Sequence, residues 1–211
     1  MSGKDTKKRI HKAASDLFYE KGYDETSVAE IIELSKSNKG SFYYHFEGKP
    51  HLGYNVYQDM FKGINDSICE LFPSLSAIEK LFLQECLFWR LFFSDENIRR
   101  FSSELFKTVF IELKTEYFDA ILDLSTRDFP IRELLMIQGV ELSLRCWFVS
   151  YVYKIVGRLK EKELVSFYLR HWLSLYEIPT STVDSYLKKA FKQLSKLSIT
   201  NEGFTVFIAR A

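Results

Sequence analysis

The apolar residues at the start of the chain recur at helical spacing. Ile10, Ala13-Ala14 and Leu17-Phe18 follow an i, i+3, i+4, i+7, i+8 pattern, which predicts an amphipathic helix over residues 5–21. Gly22 follows directly and is a typical residue at which a helix ends.

Two short helices are predicted next. Ser27 opens the first, because a serine followed by Glu30 three residues later is the capping-box pattern. Asn38 is a strong N-cap for the second, which runs through Tyr44. Three polar residues, Ser35-Lys36-Ser37, separate the two helices.

The rest of the chain has longer periodic segments and more apolar residues. Prolines fall between these segments, where the missing N–H interrupts no helix. The predicted helices span 51–71, 75–93, 96–125 in two pieces, 131–158, 161–177 and 180–197. The tail from Ile199 to Ala211 is either a short extended segment or a docked end. The helical periodicity along the chain predicts an all-α fold. A shift in composition near Leu52 predicts one domain at 1–50 and a second at 51–211.

Composition narrows the possible functions. The 211 residues are 46% hydrophobic, and 29 Lys and Arg nearly balance 28 Asp and Glu. This excludes a disordered tail and a uniformly basic nucleic-acid coat, so affinity for DNA requires a local patch. Basic residues do cluster near the N-terminus and around the two short helices: Lys4, Lys7, Lys8, Arg9, Lys12, Lys36, Lys39 and Lys49.

Targeting and redox signals are absent from the sequence. The three cysteines form no C-x-x-C motif, and the polar N-terminus has no apolar region of a signal peptide behind it. The longest charge-free apolar run, near residues 146–153, is far shorter than the ~18–20 residues of a membrane helix. We therefore expect a soluble cytoplasmic protein that does not interact with membranes.

Catalytic and metal-binding patterns are absent as well. The sequence has no G-x-S-x-G, no phosphate-binding glycine loop and no H-E-x-x-H. Its four histidines lack the spacing of metal ligands. We therefore expect no enzyme activity, no metal and no cofactor.

The two short helices have the spacing of a helix-turn-helix, whose second helix presents its first turn to the major groove. That turn, residues 38–41, is small or polar, and Gly40 permits a close approach to DNA. The run Tyr43-Tyr44-His45 offers polar atoms to phosphates. The alternative is that these aromatic residues only form a core; Phe42 and Phe46, four apart, are expected to face inward.

Many positions between residues 10 and 52 also stand in register with a known pattern: Ala13-Ala14, Leu17-Phe18, Gly22-Tyr23, Thr26-Ser27-Val28, Ile31, Lys39 through Phe46, Lys49 and Leu52. This segment resembles the DNA-binding domain of the TetR family of transcriptional regulators. The resemblance implies a homodimer on a palindromic operator, with a ligand in the larger domain releasing the DNA. It also implies residues that approach bases or phosphates: Ser27, Val28, Ser37, Asn38, Lys39, Gly40, Ser41, Tyr43, Tyr44, His45 and Lys49.

Several positions depart from the family pattern, among them Ile32, which is bulkier than the usual alanine, Lys36 and Pro50. Lys36 stands in the turn where the family commonly has glycine, a residue that readily takes a positive φ. Pro50 replaces a frequent glutamate, and it is expected in the first turn of the next helix, where a missing N–H costs nothing.

The helical body is predicted to hold the effector and the dimer interface. Helices 131–158 and 161–177 are assigned to a four-helix bundle between subunits. Glu141 precedes Arg145 by four residues, which predicts either a solvated or subunit-bridging ion pair or an anchor for an effector. The abundant aromatic residues suggest a hydrophobic or planar effector, although an aromatic stripe at helical spacing is more often plain core. The candidate pocket residues are Phe82, Glu85, Trp89, Phe92, Phe110, Gln138, Glu141, Arg145, Trp147 and Tyr151.

The sequence thus predicts a ligand-responsive transcriptional regulator, and we expect it to act as a repressor. The expected partners are double-stranded DNA, a second copy of the chain and a small effector. Two alternatives remain open at this point. One is an interaction module of the same fold that docks on another protein, and the other is a small-molecule carrier that does not bind DNA.

Overall fold

The computed structural model describes residues 3–108, 115–126, 128–158 and 160–211. Ten α-helices and a β-hairpin make up this part of the chain, and a short 3-10 turn over Val156–Arg158 follows the eighth helix. The helices are α1 (Gly3–Lys21), α2 (Val28–Leu34), α3 (Lys39–His45), α4 (Lys49–Leu71), α5 (Ala77–Ser94), α6 (Glu96–Leu105), α7 (Thr115–Leu122), α8 (Ile131–Ile155), α9 (Glu161–Ser174) and α10 (Thr180–Leu194), and the strands are β1 (Leu197–Glu202) and β2 (Thr205–Arg210).

The predicted helix signals are confirmed at the N-terminal end. Ser27 and Glu30 form the reciprocal capping box of α2. Asn38 caps α3 by accepting a hydrogen bond from the backbone N–H of Ser41 at 2.8 Å. Gly22 ends α1 with a φ of +93°, a conformation that favours glycine. These local bonds fix the lengths of the three helices before they pack.

The body is built around α5, whose residues are buried on nearly every side. It packs against α4, α6, α7, α9 and α10. A helix that is apolar all round fits only at the centre of such an arrangement. The fold is therefore a small helical unit joined to a larger helical layer structure.

Several helix boundaries differ from the predictions. The residues after Pro50 continue a helix that begins at Lys49, so the predicted domain boundary falls in the first turn of α4; the division at residue 50 stays a prediction. The last helices end earlier than predicted, at Ser174 and Leu194. Glu177, with a φ of +54°, turns the chain after α9.

The tail is extended, as one of the two expectations had it, and it forms an antiparallel hairpin with Leu197 opposite Arg210. Gly203, with a φ of +59°, makes the tight turn. β2 packs along α4, and Phe204 at the turn is buried against Phe101 of α6, with ring centroids 4.4 Å apart. The hairpin therefore adds a small sheet to a fold whose other described elements are helical.

The membrane expectation is tested by helix length and hydropathy. Among the helices in the described ranges, none is both long and apolar enough to cross a bilayer.

Candidate nucleic-acid interface and buried polar cluster

The second helix of the helix-turn-helix, α3, is amphipathic and shows one face to solvent. Phe42 and Phe46 are buried, as predicted, and they anchor the helix to the core. Lys39, Tyr43 and Tyr44 are exposed, and Tyr44 has 83% of its surface accessible. The aromatic run therefore divides into core residues and surface residues, which excludes the reading that it is only a core cluster.

The turn before α3 uses its polar side chains internally. Ser35 Oγ and Ser37 Oγ share a hydrogen bond of 2.8 Å, and Asn38 is occupied as the N-cap. Gly40 is exposed, and a Cβ there would meet only the Asn38 side chain, at 3.3 Å. The first turn of α3 is thus fixed in shape and presents a low, accessible backbone at Gly40.

Arg9 was not among the predicted site residues, but it joins α1 to this turn. Its Nη1 donates to the carbonyl oxygens of Ser35 at 3.0 Å and Lys36 at 3.3 Å. Lys7, two residues earlier in α1, lies 5.6 Å from the ring centre of Phe46. The cluster of basic residues in the sequence was the available signal, but their long-range partners were not evident from it.

Lys49 has a different environment from the one predicted. Its ammonium donates to the carbonyls of Tyr23 at 2.9 Å, Thr26 at 3.0 Å and Asp24 at 3.4 Å, and lies 4.4 Å from the Tyr23 ring centre. It therefore holds the link between α1 and α2. A contact of Lys49 with phosphate stays a prediction, and it requires the release of one of these bonds, because an ammonium has only three N–H donors.

Two acidic residues of this region are neutralised at the far end of α1. Hydrogen bonds from Lys21 and from Ser27 lower the pKa of Glu30 to about 2. Asp24 lies 3.8 Å from Lys107. Lys107 and Lys21 therefore balance the negative charges of Asp24 and Glu30, and neither acid is paired with Lys7 or Lys39.

The body contains a buried polar cluster, which we define as Glu85, Glu141, Arg145 and Tyr176. Arg145 Nη2 and Glu85 Oε1 form an ion pair of 3.0 Å, and the Tyr176 hydroxyl donates to Glu141 Oε2 at 2.6 Å. The side chains of Arg145 and Glu85 are only 8% and 1% exposed. The expectation of a solvated Glu141–Arg145 pair is wrong, because Arg145 turns inward and bonds to α5.

The predicted pocket residues separate into groups. Glu85, Trp89, Phe92, Glu141 and Arg145 are buried together between α5 and α8, and Gln138 is partly exposed. Phe82 packs against Tyr186 of α10 instead. Phe110 lies outside the described residues. The whole segment 161–177 was predicted to lie at the interface between subunits, but Tyr168, Trp172 and Tyr176 are buried within the single chain.

Trp147 and Tyr151 do not line the buried region. They are 61% and 48% exposed, and their rings stack with centroids 5.2 Å apart. They continue an exposed apolar row on the outer face of the helix, which we call the α8 stripe: Met136, Val140, Trp147 and Tyr151. Their placement in a pocket is wrong for the single chain, because α8 turns this face to solvent.

Comparisons with known proteins agree with this geometry. Residues 10–52 match the family described as bacterial regulatory proteins, tetR family. The chain is 46% identical over 46 residues to the HTH-type transcriptional regulator QacR of Staphylococcus aureus, and 38% identical over 71 residues to the HTH-type transcriptional regulator LmrA of Bacillus subtilis. Residues 10–52 therefore form a DNA-binding domain of the TetR family.

These similarities are confined to one end of the relatives. The matches cover 22% of this chain and 24% of QacR, and 33% of this chain and 38% of LmrA. Both relatives are described as transcriptional regulators. This agrees with the expectation that the chain is not an enzyme.

The fold likeness extends further. The crystal structure of RolR in complex with the ligand resorcinol superposes with a TM-score of 0.62 at 14% identity, covering 89% of this chain and 95% of RolR. At that identity the likeness shows the fold, an N-terminal helix-turn-helix domain followed by a helical domain.

Proposed function

We propose that the protein is a ligand-responsive transcriptional repressor that binds a palindromic operator as a homodimer. The observation that carries the proposal is α3, whose core face is fixed by Phe42 and Phe46 while Lys39 and Tyr43 remain exposed. Exposed polar side chains on a rigid second helix are what a major groove accepts. The cytoplasm is the compartment that this role requires.

The α8 stripe supports the homodimer. Met136 is 73% exposed, and the neighbouring apolar side chains on the same face are also accessible. Covering a continuous apolar row with a second copy is favourable, because it removes apolar surface from water. Two copies related by a twofold axis would place two α3 helices on successive half-sites, which matches a palindrome.

The contacts of α6 support a route between effector and DNA. Ser103 Oγ donates to the Val149 carbonyl at 3.5 Å, and Ser150 Oγ donates to the Ser103 carbonyl at 3.3 Å, joining α6 to α8. Arg100 Nη2 donates to the Glu20 carbonyl at 2.8 Å, joining α6 to α1. A hydrophobic or aromatic effector beside Arg145 would shift α8, and α6 would pass the shift to the DNA-binding domain. Effector and operator then weaken each other by linkage.

The first experiment selects bound duplexes from a random DNA library with the unaltered chain and with Tyr43→Ala. We expect a palindromic site to be enriched only by the unaltered chain. Lys39→Ala should then lower the slope of log affinity against log salt by about 1, because one phosphate or base contact is lost. Lys188→Ala removes the same charge from the exposed face of α10 and should leave the slope unchanged.

The outcomes separate the candidate functions. No enrichment at low salt by a folded dimer would favour the protein-docking module or the carrier. For the dimer itself, Met136→Glu should give monomers by analytical ultracentrifugation and lose operator affinity. Phe207→Glu changes a residue of similar character on the hairpin and should leave the dimer intact; dissociation by both variants equally would contradict the assignment of the α8 stripe.

A further inference from the structure

The buried polar cluster has hydrogen-bonding capacity that the described residues do not fill. Glu85 Oε2, Tyr168 Oη and Trp89 Nε1 are buried and make no hydrogen bond with any described residue. A buried polar atom without a partner destabilises a fold, and such atoms are rare. Several such atoms lie around one ion pair, which indicates a place where another molecule binds.

The polarity of these atoms restricts that molecule. A carboxylate oxygen only accepts hydrogen bonds, and a tyrosine hydroxyl both accepts and donates. Two of the atoms named above, Glu85 Oε2 and Tyr168 Oη, therefore receive an N–H or O–H donor. Trp89 Nε1 only donates, and the face of an aromatic ring is an acceptor for it.

The charges point the same way. In the described part of the chain, two carboxyl groups, Glu85 and Glu141, face a single guanidinium, Arg145. Burial raises the pKa of Glu141, against the opposing hydrogen bond from Tyr176. The ionised form of Glu141 therefore lacks a full counter-charge in a region with little water to screen it; a bound cation would supply that charge, whereas an anion would disfavour ionisation further.

Aromatic rings surround the charged groups on several sides. The ring of Trp89 lies 5.6 Å from that of Phe148 and 5.4 Å from that of Tyr168. The guanidinium of Arg145 itself lies 5.9 Å from the ring centres of Phe61 and Phe88. Such surfaces favour a flat ligand and attract a cation through their ring faces.

We propose, building on the effector role given above, that the buried polar cluster takes an aromatic cation bearing N–H donors, such as a protonated amine or an amidinium. The N–H groups bond to Glu85 Oε2 and Tyr168 Oη, and the aromatic body lies among Trp89 and its neighbours. Anionic aromatic compounds are rejected.

Three probes of the same shape test the proposal: 2-naphthamidine, 2-naphthylmethanol and 2-naphthoate. Isothermal titration calorimetry on the full chain without DNA is expected to show at least tenfold tighter binding of the amidine than of the alcohol, and no binding of the carboxylate. Equal affinities for amidine and alcohol, tighter binding of naphthoate, or no binding of any probe by the folded protein would overturn it, the last meaning that water alone fills the cluster.

Two variants distinguish a specific site from general adsorption. Glu85→Gln leaves Arg145 without its counter-charge and tests the acceptor directly, while Glu141→Gln keeps the Glu85–Arg145 pair and lowers only the charge. In each, the ratio of amidine to alcohol affinity should fall about tenfold, with near-UV circular dichroism as the check on folding. An unchanged ratio in folded Glu141→Gln would contradict the charge argument.

The experiment also separates this inference from the proposed function. Binding of the amidine that leaves operator affinity unchanged would refute the effector role and keep the ligand class. Release of the operator by 2-naphthoate instead would keep the regulator and refute the ligand class.

Discussion

At the scale of single residues, Glu141 makes folding stability depend on pH. Burial raises the pKa of this carboxyl group, so its folded-state pKa lies above its unfolded one. Its favourable contribution is then complete below the unfolded pKa and is lost as the pH rises through the folded pKa. Each unit of difference corresponds to about 1.4 kcal/mol.

We therefore expect the unfolding free energy of Glu141→Gln to rise relative to that of the unaltered chain as the pH is raised above about 4.5, the ordinary pKa of the group, because glutamine has no carboxyl group to ionise. Glu79→Gln is a control of opposite sign, since the hydrogen bond from Lys189 lowers the pKa of Glu79 despite partial burial. Urea unfolding across this pH range measures both. A constant difference between Glu141→Gln and the unaltered chain at every pH would show that the pKa is not raised.

At the scale of elements, local sequence patterns were enough to predict where the helices begin. They could not predict which residues far apart in the sequence form pairs. The Ser27–Glu30 box and the Asn38 cap use atoms within four residues, and both formed as expected. The partner of Arg145 could not be predicted in this way, because Glu85 is 60 residues away in the sequence and only packing brings it near. The same reason applies to Arg9 and the turn. Local periodicity also cannot tell which apolar face of α8 meets solvent.

The turn between α2 and α3 gives a second prediction at this scale. Lys36 has a φ of +50°, which for a residue with a side chain costs of order 1–2 kcal/mol. Lys36→Gly should relieve this strain against a smaller loss from unfolded-state entropy, for a net gain of up to about 1 kcal/mol. It also removes an exposed cation beside α3, so operator affinity should fall while stability rises.

Glu177→Gly is the matched control, because Glu177 has a similar φ of +54° far from α3. The melting temperature should rise in both variants, by about 2–4 °C for each kcal/mol gained in a chain of this size. Only Lys36→Gly should weaken operator binding. Lower melting temperatures in both would mean that the positive φ carries no strain here.

At the scale of the whole molecule, the C-terminal hairpin joins the DNA-binding end to the body. Asn201 Nδ2 donates to Asp95 Oδ2 at 2.8 Å, and the Tyr19 hydroxyl of α1 donates to the same oxygen at 2.6 Å. Burial alone would raise the pKa of Asp95, but the bonds from Tyr19, the Ile98 amide and Asn201 outweigh it and lower that pKa. Phe204 stands with its ring edge against Tyr19, with ring centroids 5.4 Å apart.

Because this hairpin contacts both α1 and α6, removing its anchor should loosen α1 as well as lower stability. We expect Phe204→Ala to cost about 3–5 kcal/mol, as for other buried phenylalanines, and to speed amide hydrogen exchange around Tyr19. Phe207→Ala, on the exposed side of β2, should change stability by about 0.5 kcal/mol or less. If the two variants gave equal losses, or if exchange in α1 were unchanged in Phe204→Ala, the hairpin would stabilise the body alone. In that case α6 would be the connection through which a bound effector reaches the recognition helix.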